Sequence, residues 1–250
     1  MSPVSRLGAV ALVCSIVFTV FVATVVNYLI YTSRWSFALL RPDYVARKPP
    51  TISRAISEPA VGEPFANWML ISAPLLFIAV AVLMTVLVRS ARRQAGAMPR
   101  GQLGWIVGLS GVVILLQALA SVGMVMLSQF RFPTHNALHM AGSYLFFFSQ
   151  AFAVFIGEML SRSCDAPPLR GRLLGVATCR FRRWLILVPA ALGVAYLALF
   201  IVKDLDTGPA APLLYQTYVS VELLLISSFL LYFLAWIPES VLALGRYLRA

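Results

Sequence analysis

Residues Leu7–Ser33 read LGAVALVCSIVFTVFVATVVNYLIYTS, a run without a single charged side chain. At 1.5 Å per residue a helix of this length rises about 40 Å, more than the roughly 30 Å of bilayer hydrocarbon. Only Arg6 lies close before it, and the run is too long for the apolar core of a signal peptide, so it reads as a retained transmembrane helix over about 7–31. Working outward, five further apolar runs follow at about 65–88, 103–127, 134–160, 184–202 and 213–236. Each reads as a helix, because a segment in lipid must satisfy its own backbone polar groups, and none shows the alternation of a barrel strand. The expectation is an all-α polytopic bundle of six transmembrane helices, one domain over 1–250, with a long outer loop at 34–64.

Composition agrees. Hydrophobic residues make up 60% of the 250 and charged residues 12%, about half the charged fraction of a soluble domain. The formal charge of +11 would suggest nucleic acid in a soluble protein. Here the basic residues fill the gaps between apolar runs, the pattern of membrane topology and anionic headgroups, so no nucleic-acid partner is expected. The N-terminus, the second and fourth loops and the C-terminus carry thirteen Lys and Arg. The other three loops carry seven, and the two short ones, at Arg131 and Lys203, one each. Short loops weigh most in the positive-inside rule, which puts both termini in the cytoplasm. The organism decides whether the membrane is a bacterial inner membrane or a eukaryotic plasma, Golgi, ER or lysosomal one.

Cys14 lies inside an apolar run and reads as a packing residue. Cys164 and Cys179 flank the strongly basic fourth loop, where a reducing compartment argues against a disulfide; Cys164, just past a helix end, is a position open to palmitoylation. No zinc spacing is present, and no metal or cofactor is expected. G-x-S-x-G, Walker A, G-x-G-x-x-G and H-E-x-x-H are absent.

A few polar residues sit where they cost energy. Glu222 falls about nine residues into the sixth span, roughly 13 Å from its outer end. It is either a protonated carboxyl hydrogen-bonded to a neighbouring helix or a site residue. His135 and His139 open the fourth span four residues apart on one face. Two ligands on one helix make a poor metal site, and His139 is expected to face inward with His135 at the interface. The fourth and sixth spans both enter from the outer side, so His139 and Glu222 are expected to meet as a hydrogen-bonded pair. Tyr218, Gln216, Asn27 and Asn67 extend that polar half. Gln117 sits mid-membrane and is expected to have a helix partner. Gly142, Ser143 and Ser149 permit close helix approach, and Phe146–Phe148 faces lipid or core.

The outer loop reads Pro50-Thr51-Ile52-Ser53-Arg54-Ala55-Ile56-Ser57-Glu58-Pro59, then Gly62-Glu63-Pro64-Phe65. His135-Asn136-Ala137 and His139-x-x-Gly142 open the fourth span. Ser220-Val221-Glu222 begins the half-span that ends Tyr232-Phe233-Leu234-Ala235-Trp236. In this order the three patches resemble the Frag/DRAM/Sfk family of six-helix membrane proteins, whose members include the DRAM autophagy modulators and a factor for lipid remodelling of GPI anchors. The resemblance implies a six-helix fold and a lipid theme. Some relatives carry cysteines in the outer loop; this chain has none there, so no lumenal disulfide carries over.

Taken together, the patches suggest a lipid or headgroup site on the outer side, formed by Arg47, Lys48, Ser53, Arg54, Glu58, His135, Asn136, His139, Tyr218 and Glu222. The loop cations would hold a phosphate or anionic headgroup above the His and Glu. The expected partner is a membrane lipid or glycolipid, with a membrane protein as a further one. An alternative is an intramembrane lipid acyltransferase or hydrolase, with His139 as base, Glu222 orienting it, and Ser53, Ser57 or water as nucleophile. A transporter ranks third, because the cytoplasmic half offers few intramembrane polar residues.

Overall fold

The computed structural model describes residues 3–164, 172–173, 176–205 and 208–249. Arg170 and Asp206 lie outside the described residues, as do the side chains of Arg172, Cys179 and Arg249. The helices run in order α1 (Pro3–Leu40), α2 (Pro42–Val45), α3 (Ile52–Ala55), α4 (Pro59–Arg93), α5 (Gln102–Gln129), α6 (Asn136–Ser163), α7 (Thr178–Leu185), α8 (Leu187–Val202), α9 (Ala211–Leu234) and α10 (Ile237–Arg249). Between α6 and α7 the only pairing among the described residues is a two-residue antiparallel ladder, Arg172 opposite Ala177 and Leu173 opposite Val176. Six stretches are long and apolar enough to cross a membrane: Arg6–Leu40, Pro59–Arg93, Gln102–Gln129, Asn136–Ser163, Arg180–Val202 and Gly208–Arg246.

Two helices overrun the boundaries expected from apolar content. Helix α1 continues through Arg34 to Leu40, because Trp35–Leu40 contains neither Gly nor Pro and Phe37 is buried against Ala55 and Val61. Its stop comes at Pro42, which cannot continue a helix but is well suited to the first position of the next one. Helix α4 begins at Pro59, with Pro64 already inside it. Pro64 removes the N–H that would bond the carbonyl of Ala60, and Ala60 is exposed, so that carbonyl is open to solvent. The segment 34–64 is therefore mostly helical rather than an open loop.

Helices α1, α4, α5 and α6 pack in sequence, and α9 closes the bundle against α1, α6 and α8. The stretch containing α9 is the most buried of the six, and that containing α8 the least. Helix α8 leans on α9 and touches α6 at few places. Its outward face, including Val194 and Ile201, is open to the surroundings. At one end of the bundle, Ala9 and Leu12 of α1 pack with Val86 of α4 and Ala243 of α10, which brings the first and last helices together. This is the terminal end; the other, holding α2, α3 and the turns after α5 and α8, is the loop end.

Helices α5 and α6 meet at backbone distance. A Cβ on Gly142 would lie 2.7 Å from the backbone N of Leu127, and one on Gly123 would lie 2.5 Å from the backbone N of Phe146 and 2.8 Å from the carbonyl oxygen of Gly142. The obstructing atoms are main chain and cannot rotate away. Small residues at this contact let two helices approach to backbone distance.

At the terminal end Arg182, 2% exposed, gathers three helices. Its guanidinium donates to Ser161 Oγ of α6 at 2.9 Å and to the carbonyl of Ala235 at 3.1 Å, pairs with Glu239 of α10 at 2.5 Å and stacks on the Trp236 ring at 4.0 Å. Sequence placed Arg182 among the solvated loop charges; folding buries it.

Replacing Gly142 with valine should lower stability by about 1–3 kcal/mol, the range for overpacking a tight contact. Thermal unfolding in mild detergent measures it. Gly193→Ala serves as comparison, since a Cβ there meets only Leu225 Cδ1 at 4.0 Å. An unaltered Tm for Gly142→Val would contradict the backbone contact.

Candidate functional site

The loop between α1 and α4 does not lie across the top of the bundle but dips into it. Ile52, Ala55 and Ile56 are 5%, 0% and 0% exposed. Thr51 caps α3 by accepting the Arg54 N–H on Oγ1 at 3.1 Å. The Ile52 N–H, in the first turn, has no acceptor within its helix. Inside a membrane bundle water is scarce, and an orphan donor is costly. Glu222 supplies the acceptor: its Oε2 takes the Ile52 N–H at 3.3 Å. Glu222 is eleven residues beyond Ala211, about 16 Å down α9 at helical rise. Arg34, half-buried on α1, lies within electrostatic range of it.

The neighbouring residue of α3 makes the second tie. Ser53 Oγ lies 2.8 Å from His139 Nε2. His139 Nδ1 lies 2.9 Å from the carbonyl oxygens of both Leu127 and Phe130. Those carbonyls belong to the last turn and cap of α5, where helix geometry leaves acceptors without N–H partners. A carbonyl can only accept, so Nδ1 carries the proton. In the neutral ring Nε2 then holds a lone pair, and the Ser53 hydroxyl donates to it. The imidazole is locked in one tautomer by backbone groups, with Phe132 packed on it at 4.6 Å between ring centroids.

The expected His139–Glu222 hydrogen bond is thus replaced by an indirect link. Both ring nitrogens of His139 are engaged elsewhere, and the two side chains grip adjacent residues of α3, Ser53 and Ile52.

Below α3, between α6, α8 and α9, lies a cavity of about 520 Å³, within the usual range for small-molecule sites. Its walls are largely aromatic and aliphatic, among them Phe147, Phe148, Phe200 and Phe229. Polar groups line it as well, among them Thr51, Ser53, Ser143, Glu222, Tyr218 and Lys203. Tyr196 and Tyr218 stack at 5.3 Å with an 11° interplanar angle, their hydroxyls 3.3 Å apart, and Phe147 stacks on Tyr196. A narrower recess, also lined by Ser53 and Glu222, continues towards α1 and α4.

The remaining sequence candidates are dispersed around this site. Lys48 lies 3.7 Å over the ring of Tyr215, a cavity residue. Arg47 is exposed and donates to the Asp43 carbonyl. Arg54 is exposed over the ring of Tyr44 at 4.9 Å, and Glu58 pairs with Arg41 at 2.8 Å. Ser57 donates to the Arg54 carbonyl at 2.7 Å and does not line the cavity. His135 precedes α6, exposed and edge-on to Phe130, while Asn136 is exposed at the first position of that helix. Asn27 accepts from Ser227 of α9 at 2.6 Å, away from the cavity; Asn67 and Gln216 are exposed. The expected partner for Gln117 is missing: its Oε1 has none among the described residues. Phe147 and Phe148, read as lipid or core contacts, are cavity wall.

Sequence reasoning missed Lys203, Tyr196, Tyr215 and the electrostatic role of Arg34. Lys203 was read as a turn charge next to Asp204, with which it pairs, yet it lies 5.0 Å from the Phe200 ring and lines the cavity. The i, i+3 pair Tyr215 and Tyr218 was the available signal, since it marks one face of the last span.

A bundle of six membrane-crossing helices with a loop helix tucked between them defines a multi-pass integral membrane protein. The model of the Frag1/DRAM/Sfk1/Cwh43P N-terminal domain matches residues 6–239, and the chain belongs to that family. No curated protein and no solved structure gives a match.

Two expected outcomes follow from these contacts. Glu222→Gln retains an oxygen acceptor for Ile52 N–H, whereas Glu222→Leu leaves a buried donor unpaired at about 1–3 kcal/mol. Hydrogen exchange over residues 50–57 should therefore be faster in the leucine variant and near wild type in the glutamine variant. At the other end of α6, burial pushes the Cys164 thiol up to about 12. A folded-state pKa above that of a free cysteine means less thiolate at neutral pH. A water-soluble maleimide should modify Cys164 at least about 100-fold more slowly in the folded protein than in denaturant at pH 7, and the folded rate should rise with pH.

Proposed function

We propose that this protein holds a membrane lipid, or the lipid portion of a lipid-anchored partner, in the cavity between α6, α8 and α9. The observation that carries this reading is the cavity itself: about 520 Å³, its walls mostly aromatic and aliphatic, with Thr51, Ser53 and Glu222 among the polar groups that line it. Acyl chains suit the aromatic and aliphatic walls, and an ester or headgroup suits Ser53, Tyr218, Lys203 and Glu222. Lys203 and Lys48 favour an anionic headgroup. The sparse contact between α6 and α8 supports entry of a lipid from the side. By the distribution of Lys and Arg the loop end faces the non-cytosolic side, so the ligand would come from the outer or lumenal leaflet. A glycolipid-anchored protein presents the same acyl chains and phosphate, which links this reading to GPI-anchor remodelling.

Gly193 provides the test, because it lines the cavity and a Cβ placed there meets only Leu225 Cδ1 at 4.0 Å, so a larger side chain is directed into the cavity from an uncrowded position. Native mass spectrometry of wild-type protein in mild detergent should find retained lipid. Gly193→Trp should reduce lipid occupancy at least about ten-fold with little change in Tm. Lys48→Glu together with Lys203→Glu should shift the retained species away from anionic lipids. Lipid-free wild type, or equal occupancy in Gly193→Trp, would overturn the reading.

A further inference from the structure

Ser53 combines features that a purely structural serine does not need. It lines the lipid cavity, its hydroxyl faces a histidine nitrogen at 2.8 Å, and that histidine is oriented from behind by two carbonyls at 2.9 Å. We propose that Ser53 is a nucleophile that takes an acyl group from an ester lipid bound in the cavity, with His139 as its general base. The proposal rests on the lipid reading above and adds a reaction to it.

The arrangement is that of an activated hydroxyl: nucleophile and base within hydrogen-bond reach, and the base fixed by a third group. Here the third group is backbone rather than a carboxylate. Leu127 O and Phe130 O hold Nδ1–H, which leaves Nε2 free to accept the Ser53 proton, and their partial negative charges favour the imidazolium that results. Ser53 Oγ attacks the ester carbonyl carbon while its proton passes to Nε2. The tetrahedral intermediate collapses, breaking the bond to the ester oxygen, and that alkoxide takes the proton back from Nε2 and leaves as a lysolipid. Water, or the hydroxyl of a second lipid, then attacks acyl-Ser53 with His139 again accepting the proton; the bond to Ser53 Oγ breaks, and Nε2 returns the proton to that oxygen, which restores the free serine. Water gives a free fatty acid; a lipid hydroxyl gives acyl transfer. Glu222 bonds neither Ser53 nor His139. It is a positioning residue, holding Ile52 and with it the adjacent Ser53. Ser57, whose hydroxyl is turned to the Arg54 carbonyl, is not equipped for the role.

The test uses hexadecyl fluorophosphonate on full-length protein in phosphatidylglycerol–phosphatidylcholine nanodiscs. An activated serine displaces fluoride and gains a phosphonyl group; unactivated serines are inert. Peptide mapping should place the adduct on Ser53 in wild type and in Ser57→Ala, with none in Ser53→Ala. His139→Gln should slow labelling at least about 100-fold, the lower range for a general base. Its folding is checked by retained lipid in native mass spectrometry. If that variant does not fold, the wild-type protein decides alone, by whether Ser53 is labelled. Wild type that retains lipid yet gains no adduct on Ser53 would overturn the nucleophile and leave the lipid reading standing. Equal labelling in folded His139→Gln would do the same. Wild type without lipid fails the binding reading on its own terms, whatever Ser53 does.

Discussion

A backbone N–H that enters a membrane bundle must find an acceptor, and the architecture of the loop end follows from how Ile52 finds one. Helix α3 is a single turn set into the loop end, with Ile52, Ala55 and Ile56 wedged among the spans. A turn that short closes only a few local hydrogen bonds and leaves the Ile52 N–H without a partner of its own, so its docking depends on groups supplied from elsewhere. Glu222 on α9 supplies the oxygen for Ile52, and His139 on α6 supplies the nitrogen for Ser53. An acidic side chain about 16 Å along a transmembrane helix is thereby explained without appeal to a second ionised group in contact with it. The carboxylate or carboxyl serves a main-chain donor that lipid could not.

The same economy governs His139. Helix α5 ends in a short turn, and two of its final carbonyls would otherwise face the protein interior unpaired. One N–H from the imidazole satisfies both, which ties α6 to the end of α5 where the two helices already meet through Gly123 and Gly142. Because the Nδ1 side is fully occupied, the opposite nitrogen is presented to α3 in a defined protonation state. A structural cap and a chemically useful base are the same residue here. The cavity is the third consequence: α3 fills the loop end of the bundle while α8, held mainly by α9, leaves the space beside α6 unfilled.

The terminal end is stabilised by different means. Arg182 exchanges its hydration for Ser161, the Ala235 carbonyl, Glu239 and the face of Trp236. A buried cation needs this full set of partners, since an incomplete one leaves an uncompensated charge. The network fixes the amphipathic α10 against the spans and so helps bring the first and last helices together.

Six membrane-crossing helices and their approximate extents were legible from apolar run length alone, because the thickness of hydrocarbon dictates how long an uncharged segment must be. Local chemistry also pointed to His139 and Glu222 as residues that are expensive or unusual where they stand, and the outer-loop patch that carries the family resemblance drew attention to Ser53. Their relationship was not legible. Hydropathy reports transfer into lipid, and it assigned residues 34–64 to water because they are rich in Pro and charge; it carries no information about a loop that folds back into protein. The separation of His139 from Glu222 by α3, the cavity beside α8, the recruitment of Lys203 to its wall and the burial of Arg182 all depend on which helices become neighbours. That choice is made by backbone-to-backbone packing at contacts such as Gly123–Gly142 and by the need to satisfy buried donors and acceptors, and both conditions exist only once the chain has come together in three dimensions.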